Sequence, residues 1–129
     1  MKSFILSTLL LFSSAASYAH NHYYYCPTNT GKNIAVDMNG ENWVYKFGRN
    51  LRNPEIILRN GVENFHETRS GFQHSWTFYK GQSYVYVVYA NFEREDDDVY
   101  ATSGGVWVKQ GNKVVADIKC KRVPDVGNG

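Results

Sequence analysis

Two histidines lie in residues 60–75 (NGVENFHETRSGFQHS), a polar stretch whose pattern is too irregular for a buried strand and is typical of a loop. An imidazole beside a carboxylate, as in His66-Glu67, can act as a general base, and His66 with His74 can supply two ligands to a metal ion. Neither arrangement is complete, because the spacing assigns no nucleophile and no third ligand. We therefore expect a binding protein rather than an enzyme, with no catalytic residue and no cofactor.

Carboxylates are concentrated in one short run, Glu93 to Asp98 (EREDDD), where five of six residues are acidic. The run lacks the spaced oxygen ligands and the glycine of a calcium-binding loop. It is interpreted as a solvated turn between two strands, and a site for a divalent cation or a cationic protein is the alternative.

The first nineteen residues have the pattern of an export signal. Lys2 is the only charge, residues 4–12 (FILSTLLLF) form an apolar run too short to span a bilayer, and residues 17–19 (SYA) form a small-x-small cleavage site. We predict a signal peptide over residues 1–19, cleaved after Ala19, and a single periplasmic β domain over residues 20–129.

The same cleavage would create a new amino terminus, His20-Asn21-His22. An α-amine, two backbone amides and an imidazole in the third position together suit square-planar copper(II) or nickel(II). Binding of this kind depends on local chemistry alone, so we interpret His20 and His22 as an adventitious metal site and predict no functional metal.

The chain contains two cysteines, Cys26 and Cys120, near opposite ends of the exported part. No Leu-x-x-Cys lipobox surrounds the first of them, so no acyl anchor is expected. Export permits a disulfide, and we predict that these two thiols are paired. In the chain-entropy model a loop of this length is worth about 4–5 kcal/mol.

The net charge excludes one class of partner. Removing Lys2 from the 14 basic residues leaves 13, against 12 acidic ones. The overall field is therefore weak and gives no basis for binding nucleic acid.

Short strands must position these residues. Apolar residues recur at every second position in three segments, Trp43–Phe47, Trp76–Phe78 and Val114–Cys120, which is the period of a half-buried strand. Pairs that tolerate positive φ predict hairpin turns at Asn39-Gly40, Asn60-Gly61, Lys80-Gly81 and Gly111-Asn112. The sequence therefore predicts an all-β fold, a small antiparallel β-sandwich or barrel of about seven to eight strands with one disulfide.

Three further expectations concern particular segments. Residues 84–92 (YVYVVYANF) are apolar or aromatic at nearly every position and predict the central strand. Trp107 lies between Val106 and Val108, so in a strand its side chain points to the opposite face from theirs and is expected to face outward. The tail beyond Pro124 is expected to fray.

Several of these features together resemble a known family. An exported chain with Tyr-Tyr-Cys at residues 24–26, a late Cys120, Ser-Gly at residues 70–71 and Trp-x-Lys at residues 107–109 is similar to the small periplasmic lysozyme inhibitors of Gram-negative bacteria. It also resembles the β-sandwich immunity proteins that protect such bacteria from peptidoglycan-degrading effectors delivered by type VI secretion. The resemblance implies a lysozyme-like or other peptidoglycan hydrolase as the partner, bound by a monomer or homodimer.

In the inhibitors of c-type lysozyme, a Ser-Gly-x-(Arg/Lys)-Tyr loop enters the cleft of the enzyme. Residues 70–74 (SGFQH) keep the serine and glycine, replace the basic residue with Gln73 and replace the tyrosine with His74. Arg69 can supply the cation lost at Gln73. Residues 107–111 (WVKQG) resemble the second motif of the family.

These matches imply a narrow projection that offers donors to the two carboxylates of a lysozyme-like site. In this interpretation Gly71 lets the tip turn tightly, Ser70 donates to a carboxylate and Arg69 makes a bidentate pair. The predicted contact residues are Glu67, Arg69, Ser70, Gly71, His74 and Trp107. The alternative function is a periplasmic small-ligand or metal-binding module.

Overall fold

A computed structural model describes residues 22–127, which form nine β-strands and, within that range, no helix. The predicted signal peptide, its cleavage site and His20 lie outside the described residues. No helix of the described chain is long and apolar enough to cross a membrane. The strands are β1 (Tyr24–Pro27), β2 (Asn33–Asn39), β3 (Asn42–Gly48), β4 (Ile56–Glu67), β5 (Gly71–Lys80), β6 (Tyr84–Glu95), β7 (Asp98–Gln110), β8 (Lys113–Lys119) and β9 (Asp125–Val126).

All nine strands belong to one antiparallel sheet with the order β8-β7-β6-β5-β4-β3-β2-β1-β9. The sheet curls into a half-barrel, so that the ends of β1 and β8 meet at an isolated bridge between Thr28 and Cys120. The Cys26–Cys120 disulfide joins the same two ends, with a Cα–Cα distance of 5.6 Å. The predicted all-β fold and the predicted disulfide are confirmed.

The core lies inside the curl and is largely aromatic. Its buried residues come from β1 to β3 on one side, from β5 to β7 on the other and, at Leu58, from β4 between them. The predicted inward positions are confirmed for Trp43, Tyr45, Phe47, Trp76 and Phe78. Val114 is wrong as an inward position, because it lies beyond a register shift between β7 and β8 and is half exposed.

The predicted hairpin turn at Asn60-Gly61 is wrong, because both residues lie inside β4. The pairing of β4 with β3 shifts register next to Trp43, and Asn60, with φ of 60°, is the extra residue of a β-bulge. A Cβ on Gly61 would come within 2.3 Å of the Phe78 ring, so the strand needs glycine for close packing. The other three predicted turns are confirmed, with positive φ at Gly40, Gly81 and Gly111.

Two predictions about strand position are also wrong. Residues 84–92 belong to β6, which is an interior strand, but the middle of the nine-stranded order is β4. The predicted fraying directly after Pro124 is wrong, because Asp125–Val126 form β9, where Asp125 pairs with Tyr25 of β1; residues 128–129 lie outside the described residues.

Residues 60–75 form two strands and a turn rather than a loop. Strands β4 to β7 are 10 to 13 residues long, whereas the other five have at most 7. Strand β3 pairs with β4 no further than Gly61, and β8 pairs with β7 no further than Gly105. The remaining four-stranded part, residues 62–74 and 91–103, extends past these neighbours and is called the projecting end below.

Candidate functional site

The chain reverses at the tip of the projecting end through Thr68, Arg69 and Ser70, between β4 and β5. The Thr68 N–H donates to the Gly71 carbonyl at 3.0 Å, and the Gly71 N–H donates to Thr68 Oγ1 at 3.1 Å. The Arg94 N–H donates to the Ser70 carbonyl at 2.9 Å, which ties the tip to β6. The expected narrow projection is therefore a hairpin held by backbone hydrogen bonds.

Two of the predicted contact residues hold the tip together. Arg94 donates two hydrogen bonds to the Glu67 carboxylate, at 2.9 and 3.2 Å, and this pairing lowers the pKa of Glu67. Ser70 Oγ donates to the Glu93 carboxylate at 2.6 Å. In this arrangement Glu67 and Ser70 position the tip, and the hydroxyl of Ser70 is already used.

Arg69 is the exposed cation of the turn. Within residues 22–127 its guanidinium makes no hydrogen bond or ion pair, in contrast to the guanidinium of Arg94 on β6. A guanidinium held on a tied hairpin is ready to bind a carboxylate from another molecule.

Gly71 has a role different from the one that the sequence suggested. It is the first residue of β5, it is buried, and its φ is not positive, so the turn does not require its flexibility. A Cβ at this position would lie 1.9 Å from the Phe92 carbonyl oxygen. Glycine is needed because the backbones of β5 and β6 approach closely here.

His74 is not a surface contact residue. It lies on the inner face of β5, buried between the rings of Phe65 and Trp76, each with its centroid 4.1 Å away. Its Nε2 lies 2.7 Å from a carboxylate oxygen of Glu63. Removal from water lowers the pKa of His74, although the Glu63 carboxylate opposes that effect.

The structure also separates His66 and His74, which the sequence offered as two ligands of one metal ion. Phe65 pairs with His74 and His66 pairs with Gln73, so the two imidazoles lie on opposite faces of the sheet. Across residues 22–127 no group of three or more His, Cys, Asp or Glu side chains could hold a metal ion.

The imidazole of His22 is buried, with its Nδ1 2.5 Å from an Asp37 carboxylate oxygen. The predicted amino-terminal copper or nickel site needs that same nitrogen, while its other histidine, His20, lies outside the described residues. The folded arrangement of His22 therefore competes with this metal site.

Trp107 faces outward, as predicted from its parity. Its ring stacks on Tyr89 with centroids 4.4 Å apart, whereas Val106 and Val108 are buried on the inner face. It pairs with Val87, far along β7 from the projecting end. The structure therefore does not bring Trp107 together with the tip at residues 68–70.

The sequence did not reveal two properties of the projecting end. The acidic run lies at the same end of the sheet as the tip, so Glu67 and the five carboxylates of the run share that end with Arg69 and Arg94. The inner face carries aromatic rings, with Phe72 stacked on Phe92 at 4.8 Å and Phe65 65% exposed. A sequence signal was available for the first property. The predicted turn at Lys80-Gly81 pairs β5 with β6, and this pairing places Gly71 opposite Glu93, the start of the acidic run.

We expect the stability of the protein to fall as the pH drops below 6.5, partly because of His74. Its folded-state pKa is lowered from 6.5, so the unfolded chain binds the proton more readily and protonation favours unfolding. The stabilisation is complete above pH 6.5 and is lost as the pH falls towards the folded-state pKa.

Urea unfolding between pH 8 and pH 5 measures this effect. The His74→Gln variant should lose part of the pH slope, whereas a matched His66→Gln variant should keep it, since His66 is exposed. Equal slopes in both variants would contradict the assignment.

No protein-family model, curated protein or solved structure matches the chain. The function has to be argued from the geometry and charge of the described residues.

Proposed function

We propose that the protein is an exported inhibitor or immunity protein that binds and blocks a lysozyme-like cell-wall hydrolase in the periplasm. The observation that carries the proposal is the unpartnered guanidinium of Arg69 at the tip of the projecting end. A lysozyme-like site has two carboxylates in a groove, and an arginine on a narrow hairpin can form a bidentate pair with one of them.

The bracing of the tip supports this assignment. Backbone hydrogen bonds fix the turn, and the Glu67–Arg94 and Ser70–Glu93 contacts fix its flanks. A segment that is ordered before binding loses less conformational freedom in the complex, and more of the contact energy remains as affinity.

The charge around Arg69 fits the same class of partner. An enzyme that acts on an anionic polymer such as peptidoglycan benefits from a cationic surface around its groove. The acidic run from Glu93 to Asp98 complements such a surface, while Arg69 addresses the carboxylates inside the groove.

Phe65 offers an apolar anchor beside these charges. It is exposed on the inner face, and its ring is backed by His74, whose own ring packs on Trp76. Aromatic side chains with a fixed backing are typical of residues that contribute strongly to protein–protein binding.

The disulfide supports an exported location, because such bonds persist in oxidising compartments. We propose that the protein acts as a monomer or homodimer without a membrane anchor. The metal-binding form of the alternative function has no supporting cluster within residues 22–127.

The function is tested by capturing the tagged protein from periplasm and identifying bound proteins by mass spectrometry. The captured partner should be a muralytic enzyme, the purified protein should slow its lysis of peptidoglycan, and the protein alone should show no turnover. Hydrolysis of cell wall by the protein itself, or the absence of any captured muralytic enzyme, would refute the proposal.

Neutralising the acidic run is expected to slow association with the hydrolase. The double variant Asp96→Asn with Asp97→Asn should bind with an association rate about three- to tenfold lower at low salt, because charge steering is weakened. Asparagine suits position 96, where the φ of 56° lies in the left-handed region.

Surface plasmon resonance at two ionic strengths separates the rate constants. A control that neutralises Asp117 and Asp125, on β8 and β9, should leave the association rate nearly unchanged. If both double variants slow association equally, the acidic run has no local role.

A further inference from the structure

An open cleft of 610 Å³ lies on the outer face of β2, β3 and β4. The connection between β3 and β4 supplies one wall of it through Leu51, which is buried, and Pro54. The volume falls within the roughly 300–1,000 Å³ that is typical of small-molecule sites.

Strand register sets the order of side chains on the floor of the cleft. Val44 pairs with Asp37 on one side and with Arg59 on the other, and Lys46 pairs with Ile57 in the next outward row. Cationic and apolar side chains therefore alternate across β3 and β4. Ile57 is 43% exposed, so this apolar surface is open to a ligand.

The cleft has an excess of positive charge. Asp37 is the one carboxylate among the residues that line it, and it is bonded to Lys46 at 2.9 Å and to His22 at 2.5 Å. Arg59 and Arg52 add two further cations. Within residues 22–127 the guanidinium of Arg59 makes no hydrogen bond or ion pair.

Burial opposes the charge of Asp37, but its hydrogen bonds to His22 and Lys46 leave its pKa below the ordinary value. Asp37 therefore stays ionised and neutralises Lys46 rather than Arg59. The uncompensated charge of the cleft lies at its β4 side, where Arg59 adjoins Ile57 on alternate outward positions.

We propose that this cleft binds a small amphipathic anion, a carboxylate joined to a short apolar body. Arg59 pairs with the carboxylate, and the exposed side chain of Ile57 packs against the apolar part, while Val44 and Leu51, already buried, support the floor of the cleft. A neutral apolar molecule would cover Arg59 without giving it a partner, which costs free energy. An inorganic anion would leave the exposed side chain of Ile57 in water.

This site is independent of the proposed hydrolase contact. Arg59 lies on the outer face of β4, before the bulge at Asn60, whereas Phe65 lies on the inner face beyond it. Loss of one activity should therefore leave the other intact.

The test uses octanoate as the probe in an NMR titration of the full exported domain. Octanoate should give saturable shifts at Val44, Leu51 and Ile57, and acetate and 1-octanol should each bind at least about tenfold more weakly. Arg59→Gln and Ile57→Ser should each weaken octanoate binding about tenfold without lowering the melting temperature. The control variant Arg122→Gln, outside the cleft, should bind octanoate as the native protein does.

Three results would overturn the proposal. They are the absence of saturable octanoate shifts at the cleft, 1-octanol that binds as tightly as octanoate, and acetate that binds as tightly as octanoate. The Arg59→Gln variant should still bind the hydrolase with native affinity. Intact hydrolase binding alongside failed octanoate binding would therefore refute the cleft proposal alone and leave the inhibitor proposal standing.

Discussion

The Arg69→Glu variant is expected to bind the partner hydrolase at least about a hundredfold more weakly than the native protein, with an unchanged melting temperature. The substitution places a carboxylate against the carboxylates of the enzyme, and like charges across a desolvated contact cost several kcal/mol. The folded state should tolerate the change, because Arg69 is exposed and the effect of such a substitution is usually within about 0.5 kcal/mol.

Lys113→Glu is the matched control, since it makes the same charge reversal at the turn between β7 and β8, away from the projecting end. Its affinity should stay close to that of the native protein. Calorimetric titration and thermal melts of both variants give the comparison. An Arg69→Glu protein that melts normally and binds normally would remove the tip from the interface and leave the strand around Trp107 as the next candidate.

Removing the disulfide is expected to lower the free energy of unfolding by about 4–5 kcal/mol. Cys26 and Cys120 are separated by 94 residues, so the cross-link closes a long loop in the unfolded chain. In the folded state the same bond holds the two ends of the curled sheet, where Thr28 and Cys120 form the isolated bridge.

A double variant, Cys26→Ala with Cys120→Ala, tests this without burying a new hydroxyl group. Urea unfolding should show the loss, and reduction of the native protein should produce a loss of similar size. A decrease of less than about 1 kcal/mol in both experiments would show that the unfolded chain gains little freedom when the bond is absent.

The all-β fold was predictable because its signals are local. Alternation placed Trp43, Tyr45 and Phe47 inside, and glycine pairs marked three of the turns. Asn60-Gly61 was misinterpreted because a residue with positive φ serves a bulge as well as a hairpin. The need for glycine at position 61 becomes visible only in the structure, where the Phe78 ring on the neighbouring strand β5 leaves no room for a Cβ.

Residues 60–75 looked like a loop for a related reason. A strand with one buried face alternates in polarity, whereas in the projecting end β4 is exposed on both faces from Val62 to Glu67 and carries no such alternation. This part of β4 is still a strand, because its backbone pairs with β5 along one edge. Sequence polarity reports burial, and here burial and strand structure are separate properties.

At the candidate site, the sequence indicated the exposed position of Arg69, because a polar turn places its side chain at a tip. The partners of Glu67 and Ser70 come from β6, and the sequence does not specify that Arg94 and Glu93 lie beside them. His74 was misplaced for the opposite reason, because a histidine near a turn can belong to the inner face of the strand that follows.

The projecting end leaves two strand edges open to solvent. Within residues 22–127, β4 beyond Gly61 and β7 before Gly105 each have a neighbouring strand on one side only, and exposed backbone groups of this kind template pairing between molecules. The acidic run lies beside the β7 edge, and β4 carries Glu63 and Glu67, so two copies repel each other as they approach edge to edge. Protonating those carboxylates would remove the repulsion, so the same charges that suit a cationic partner also oppose self-association and aggregation.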